Sequence, residues 1–323
     1  MRAALGHERP VGRSTTGLGN NKGPSEKAGA IVTPLFRGRI GGRFRLDSQR
    51  AEGEWNAFAR VNAAQRWRQQ SAAMGRHMTE AIVGEAQAAR GMRVLDVACG
   101  TGEPAISLAV LLKDTGLVLG IDISPEPLIV AARRARDRRL VNIGFQQADV
   151  HSLPFADGSF DRMTSRLGVM FFADLPRALR EMRRVLKPGG CITLLVWGSM
   201  QQPYFESTIG TILRTVPGSE LPLSGKQMFR FGEPGALTAA LQQAEFRSIE
   251  ETFRVVPWSW PGTPEEVWDY FQEVTVPFKP LFAAIAGEKR ETVKAEVLRE
   301  IGRFYDGTQV NFTATICLAS ARA

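Results

Sequence analysis

Residues 94–104 read VLDVACGTGEP. A short apolar run, broken once by Asp96, meets a turn that carries Gly100 and Gly102. Such a run is expected to form a buried strand, and the glycines let the backbone pass close beneath a ligand. The apolar segment AISLAVLL (105–112) follows as a helix whose first N–H groups face the same space. The spacing Gly100-Thr101-Gly102-Glu103-Pro104-Ala105 satisfies the loose G-x-G-x-x-A fingerprint. Alone, that spacing serves a nicotinamide dinucleotide equally well, and the acidic residues separate the two readings. Asp122 ends the next apolar run, about twenty residues on, where a carboxylate accepts both hydroxyls of a ribose. Asp96 before the turn and Asp149 after a third run place further negative charge beside it. A pyrophosphate would be repelled there, whereas a ligand with an ammonium and a sulfonium would be held.

Outward from this stretch the pattern alternates. GLVLGIDI (116–123) is a second strand. The next helix has Ser124 at its N-cap position and Pro125 at its first turn, and runs through LIVAARRARDRR (128–139). VNIGFQQAD (141–149) and FDRMTSR (160–166) read as strands. LPRALREMRRVL (175–186) is a helix with Leu175, Leu179, Met182 and Leu186 on one face, KPGG (187–190) stops it, and CITLLVW (191–197) is the fifth strand. Strand and helix alternating over short links mean a parallel sheet covered on both faces. Before this region, residues 55–89 carry apolar positions at helical spacing; after it, 199–245 and 262–304 are mainly helical. FRSIEETFRVVPW (246–258) and QVNFTATICLASA (309–321) read as strands.

The blocks VLDVACGTGEPAISLA, VLGIDISPEPL, IGFQQADVHSLPF, FDRMTSRLGVMFF and LREMRRVLKPGG fall in order between residues 94 and 190. Together they resemble the class I S-adenosylmethionine-dependent methyltransferases, in particular the small-molecule group that includes the ubiquinone/menaquinone-biosynthesis enzymes. The resemblance covers residues 55–200 well and the remainder loosely. It implies a doubly wound, seven-stranded, mostly parallel α/β sheet, order 3-2-1-4-5-7-6, with a helical cap. It also implies four regions: a basic leader (1–50), a helical lid (51–90), a cofactor-binding core (91–200), and a substrate cap with the last two strands (201–323).

Carried over by position, Asp96 would help hold the methionine amino end, and Ala98, Gly100, Thr101 and Gly102 would let the backbone approach S-adenosylmethionine. Asp122 would bind the ribose, Ile123 would pack on the adenine, Asp149 and the Val150 N–H would meet the adenine edge, and Ser165 would lie near the methionine. The methyl acceptor would be a small molecule. Its catalytic candidates are His151, as a general base, and Arg166 at the end of the fourth strand. Tyr204 and Glu206 are outsiders for the base. Trp197 and Tyr204 are candidates for the substrate pocket, within a wider gathering of aromatics that includes Trp258, Trp268, Tyr270 and Phe271. Those aromatics point to an apolar or aromatic acceptor such as a quinone precursor, polyketide, phenol or terpenoid. A protein that binds S-adenosylmethionine without turnover and a nicotinamide-dependent oxidoreductase are the alternatives.

Composition narrows the rest. With 44% apolar and 23% charged residues the chain is of ordinary globular type. The formal net charge is +8, but residues 1–50 hold ten Lys and Arg against three acids, leaving +1 for residues 51–323. The near-neutral remainder argues against a nucleic-acid groove. Cys99, Cys191 and Cys317 are widely spaced, form no CxxC pair, and with three histidines give no metal cluster, so no metal is expected. No apolar run reaches the roughly 20 residues of a membrane span. Free thiols and the absence of an apolar signal stretch favour the cytoplasm, with an organelle matrix as the alternative if the basic leader is a transit peptide. The oligomeric state stays open, a homodimer included.

Overall fold

The computed structural model describes residues 62–323, Ala64 excepted. The leader and the first part of the lid segment lie outside the described residues. Two short helices, α1 (Arg68–Met74) and α2 (Arg76–Glu85), meet at Gly75 and lead into β1 (Arg93–Val97). There follow α3 (Ala105–Leu112), β2 (Leu117–Asp122), α4 (Pro125–Asp137), β3 (Ile143–Gln147), β4 (Phe160–Arg166), α5 (Leu175–Val185) and β5 (Leu186–Trp197). The sheet has seven strands in the order β3-β2-β1-β4-β5-β7-β6, as the resemblance implies. The first five are parallel, while β7 (Val310–Arg322) runs antiparallel between β5 and β6 (Arg247–Trp260).

The five parallel strands are covered on both faces, so the residues they bury are mostly apolar. Val94, Val118, Ile143 and Phe145 join α3 and α4 in one apolar cluster. Leu95, Val97, Leu119 and Ile121, their neighbours in sequence, join α2, α5 and the cap in the other. Helix α5 buries Leu175, Leu179 and Met182 as expected, with Asp174 as N-cap taking the Arg177 N–H at 3.0 Å. Ser124 stands at the N-cap of α4 in an extended conformation, yet its hydroxyl makes no cap bond. Its N–H goes instead to Asp122 Oδ1 at 3.0 Å.

Strand β5 starts at Leu186, five residues before the expected Cys191, because Leu186 pairs with Phe160 across an irregularity in the ladder. KPGG therefore lies inside the strand. The expected helix does stop at Val185, and backbone pairing continues the chain where apolar content lapses. Beyond β5 come a helical run ending in α6 (Thr211–Thr215), then α7 (Leu223–Met228) and α8 (Ala236–Gln243) before β6. Between β6 and β7 lie α9 (Pro264–Val274), α10 (Lys279–Ala283) and α11 (Arg290–Gly302). Helix α9 starts with a full capping box, Thr263 and Glu266. The arm before α1 is tied to α9 by the Trp67 indole, which donates to Glu273 at 2.8 Å. No helix among the described residues is long and apolar enough to cross a membrane.

Candidate active site

Strand β1 has β2 on one side and β4 on the other, so the chain leaves it in opposite directions and a crevice opens at the carboxyl ends. A cavity of about 1150 Å3 occupies that crevice. Ala98, Gly100 and Thr101 form its floor, and Asp122, Ile123, Asp149 and Val150 one end. His151 and Arg166 line it as well, whereas Asp96, Gly102, Ser165, Trp197, Tyr204 and Glu206 do not.

Asp96 lies beneath the floor, fully buried. In register with Thr164 of β4, it accepts that hydroxyl at 2.7 Å and the Ala105 N–H at 3.1 Å. It thus ties the turn and the first residue of α3 to the middle of the sheet. Burial raises its carboxyl from 3.8 to about 7, against the pull of those two hydrogen bonds and of Arg166. Gly102, at φ +109°, is also structural: a Cβ there would stand 2.7 Å from Ile106 Cδ1 and 3.2 Å from Ala131. It lets the turn settle onto α3 and α4. Ser165 is buried behind the wall, its hydroxyl without a partner.

Asp122 faces the cavity with its carboxylate fixed from both sides, by the Gly100 N–H at 2.9 Å and the Ser124 N–H at 3.0 Å. Asp149 Oδ1 accepts the His151 N–H at 2.9 Å and lies 2.7 Å from His151 Nδ1. At the other side of the ring, Nε2 accepts the Asp174 N–H at 3.2 Å. The partners assign the neutral Nδ1–H tautomer, with neither nitrogen available to take a proton from a bound molecule. His151 is a brace between the β3 loop and the cap of α5, not a base facing the cavity.

The opposite end is aromatic. Trp258 of β6 and Tyr270 and Val274 of α9 line it, while Phe172 after β4 lines the cavity beside His151, ring centroids 6.3 Å apart. Trp197 and Tyr204, expected in the pocket, pack behind this wall: their rings meet Trp258 at 5.2 Å and 6.1 Å between centroids. Arg166 stands between the two ends. Burial lowers the proton affinity of its guanidinium, opposed by the carboxylates of Glu103 and Asp96.

Three contributors escaped the sequence reading. Arg134, in the basic run of α4, donates to the Thr101 carbonyl at 2.7 Å and pairs with Glu103 at 3.3 Å, clamping the turn. Gln147 Nε2 donates to the Ile123 carbonyl at 2.8 Å and holds the β2 end open. Gly168 brings the β4 loop against the β1 loop, where a Cβ would lie 2.6 Å from that of Ala98. Arg134 falls seven, four and three residues after the buried Pro127, Val130 and Ala131, the spacing of one helix face, but in a run of arginines it reads as a solvated face.

The sequence matches the model of the ubiE/COQ5 methyltransferase family over residues 68–229. The chain belongs to that family. It is 36% identical over 137 residues to the demethylmenaquinone methyltransferase of Staphylococcus aureus, a match spanning 42% of this chain and 54% of that one. With the demethylmenaquinone methyltransferase of Deinococcus radiodurans it shares 35% identity over 191 residues, 55% of this chain and 77% of the relative. The fold is also that of the YcgJ protein of Bacillus subtilis, with a TM-score of 0.50 at 21% identity, covering 76% of this chain and 97% of that one.

The cofactor of this methyltransferase is S-adenosylmethionine, and the residues present fit it. The cavity has carboxylates at Asp122 and Asp149, apolar Ile123 and Val150 beside them, and a floor of backbone, a set that would suit a nucleoside with a cationic tail. A Cβ at Gly100 would meet nothing within 4 Å, so open space lies directly above the turn. Among the described residues no cluster of His, Cys, Asp and Glu could hold a metal ion.

Proposed function

We propose that this methyltransferase transfers a methyl group to a small, apolar or aromatic acceptor of the quinone-precursor kind. The observation that carries this reading is the continuity of one cavity from the carboxylate end at Asp122 and Asp149 to the aromatic end at Trp258 and Tyr270. Two molecules side by side need such a chamber. The two relatives bearing the name demethylmenaquinone methyltransferase support the acceptor class.

S-adenosylmethionine, when bound, supplies a methyl group on sulfur whose departure needs no protonation. The protein's task is therefore to align acceptor and methyl within about 3–3.5 Å and to exclude water. The Gly100 turn, clamped by Arg134 and Asp96, fixes one partner; Trp258, Tyr270 and Val274 enclose the other. With His151 held on both nitrogens, an acceptor that reaches the site already ionised or activated at carbon is favoured over a plain hydroxyl. We read residues 51–90 as the lid, 91–200 as the cofactor core and 201–323 as the substrate cap with the last two strands.

The test is turnover of methyl-labelled S-adenosylmethionine with naphthohydroquinones and simple phenols, alongside calorimetry with S-adenosylhomocysteine. Cofactor binding with label transfer to the aromatic acceptors is expected. Binding without transfer to any aromatic acceptor, while a sugar or amine is methylated, refutes the acceptor class.

A further inference from the structure

Arg166 Nε, between the two ends of the cavity, and Trp258 Nε1, at its aromatic end, are buried hydrogen-bond donors with no partner among the described residues. Both residues line the cavity. Buried donors are ordinarily satisfied, so two in one chamber mark the place of an acceptor atom that a ligand brings. The guanidinium is not used elsewhere. It makes no hydrogen bond or ion pair among the described residues, although Glu103 and Asp96 act on it through space. Those carboxylates are already engaged, Glu103 by Arg134 and Ser107, Asp96 by Thr164 and Ala105.

The setting is built around this group. At Gly75, where α1 gives way to α2, a Cβ would stand 3.2 Å from Arg166 Nη1, so the joint leaves room for the fork. Glu103 and Asp96 at the glycine turn act on the guanidinium, and Tyr270 of α9 acts on it less strongly, so the group lies between the turn and the cap. An arginine fork matches a carboxylate with two parallel N–H···O bonds, which a single carbonyl oxygen cannot reproduce.

Resting on the proposed methyltransferase reading, we infer that Arg166 receives a carboxylate of the methyl acceptor, with the Trp258 indole as a second donor in the same chamber. The acceptor is then an aromatic carboxylic acid, a charged class distinct from uncharged quinones and phenols. The aromatic wall takes its ring, and the fork fixes which edge of that ring turns toward the methyl group.

Calorimetry on the full chain saturated with S-adenosylhomocysteine tests this with 2-naphthoate against 2-naphthamide, which share shape and differ in charge. Naphthoate is expected to bind about tenfold or more tightly. That preference should vanish in Arg166→Met, survive in part in Arg166→Lys and weaken in Trp258→Phe. Equal binding of acid and amide, or a preference that persists in Arg166→Met, overturns the inference. The other carboxylate available to Arg166 is the cofactor's own. Should Arg166→Met lose affinity for S-adenosylhomocysteine but keep it for 5′-methylthioadenosine, which lacks the amino acid, with the native chain not distinguishing acid from amide, the inference is likewise overturned. Failure of S-adenosylhomocysteine to bind the native chain would instead count against the methyltransferase reading itself.

Discussion

Replacing Asp96 by Asn tests whether the acid beneath the glycine turn bears the cost of burial. Its carboxyl is raised from 3.8 to about 7, a displacement of about three pH units. At ~1.4 kcal/mol per unit, keeping the group ionised in the native state costs about 4 kcal/mol relative to the unfolded chain. The native state holds the proton more tightly than the unfolded state does. This group therefore makes stability fall as pH rises from about 4 to about 7, and the cost is fully present above that range. Asp96→Asn removes the charge while keeping the network: the amide oxygen accepts the Ala105 N–H, and the amide N–H donates to a reoriented Thr164 hydroxyl. Guanidinium unfolding of both proteins at pH 5, 6, 7 and 8 reads the difference, because every other titrating group is common to the two. The stability of Asp96→Asn relative to the native chain should rise by about 3 kcal/mol between pH 5 and pH 8. A difference that stays constant over that range would refute the claim that Asp96 is desolvated.

Asp122→Ala should weaken S-adenosylhomocysteine binding about tenfold or more by calorimetry, since a charge-assisted acceptor is lost and the Gly100 N–H loses its partner; unchanged affinity removes Asp122 from the site. His151→Gln should lower cofactor affinity while leaving the pH profile of kcat unaltered between 6 and 8. A profile that loses its acidic limb, the fall of kcat at low pH, would make His151 the base after all. Gly102→Ala should destabilise the fold by about 2–4 kcal/mol, because its Cβ meets Ile106 and Ala131 at a left-handed φ. Thermal unfolding checks it, and a change below about 0.5 kcal/mol would mean the turn has room to shift.

The parallel half of the fold was open to reading because β1, β2 and the later part of β5 are short apolar runs closed by a glycine or an acid, although β4, FDRMTSR, is not of that kind. The antiparallel half was harder. Strand β6 has one side exposed along most of its length, so its residues alternate without a continuous apolar run, and only pairing with β7, some sixty residues later in the chain, makes it a strand. The start of β5 was missed for the same reason: Leu186 belongs to the ladder through its backbone partner Phe160, which local composition does not report.

At the site, local spacing located the turn and its acids but not the direction in which they point. Asp96 and Asp122 both sit in strands near the turn, and depth along the strand separates them: Asp96, paired with Gly120 and bonded to Thr164, stays under the turn, while Asp122, at the last position of β2, reaches the cavity. The aromatics show the same limit more sharply. Trp197 and Trp258 are both strand tryptophans with rings 5.2 Å apart, yet one is core and the other wall. Which is which depends on how far β6 slides along β7, where Trp258 falls opposite Phe312. A slip of one residue would turn Trp258 to the other face and withdraw its indole from the cavity. The acceptor end is thus specified by the register of the sheet's last two strands, so substitutions that disturb that register should alter acceptor choice while leaving the cofactor end intact.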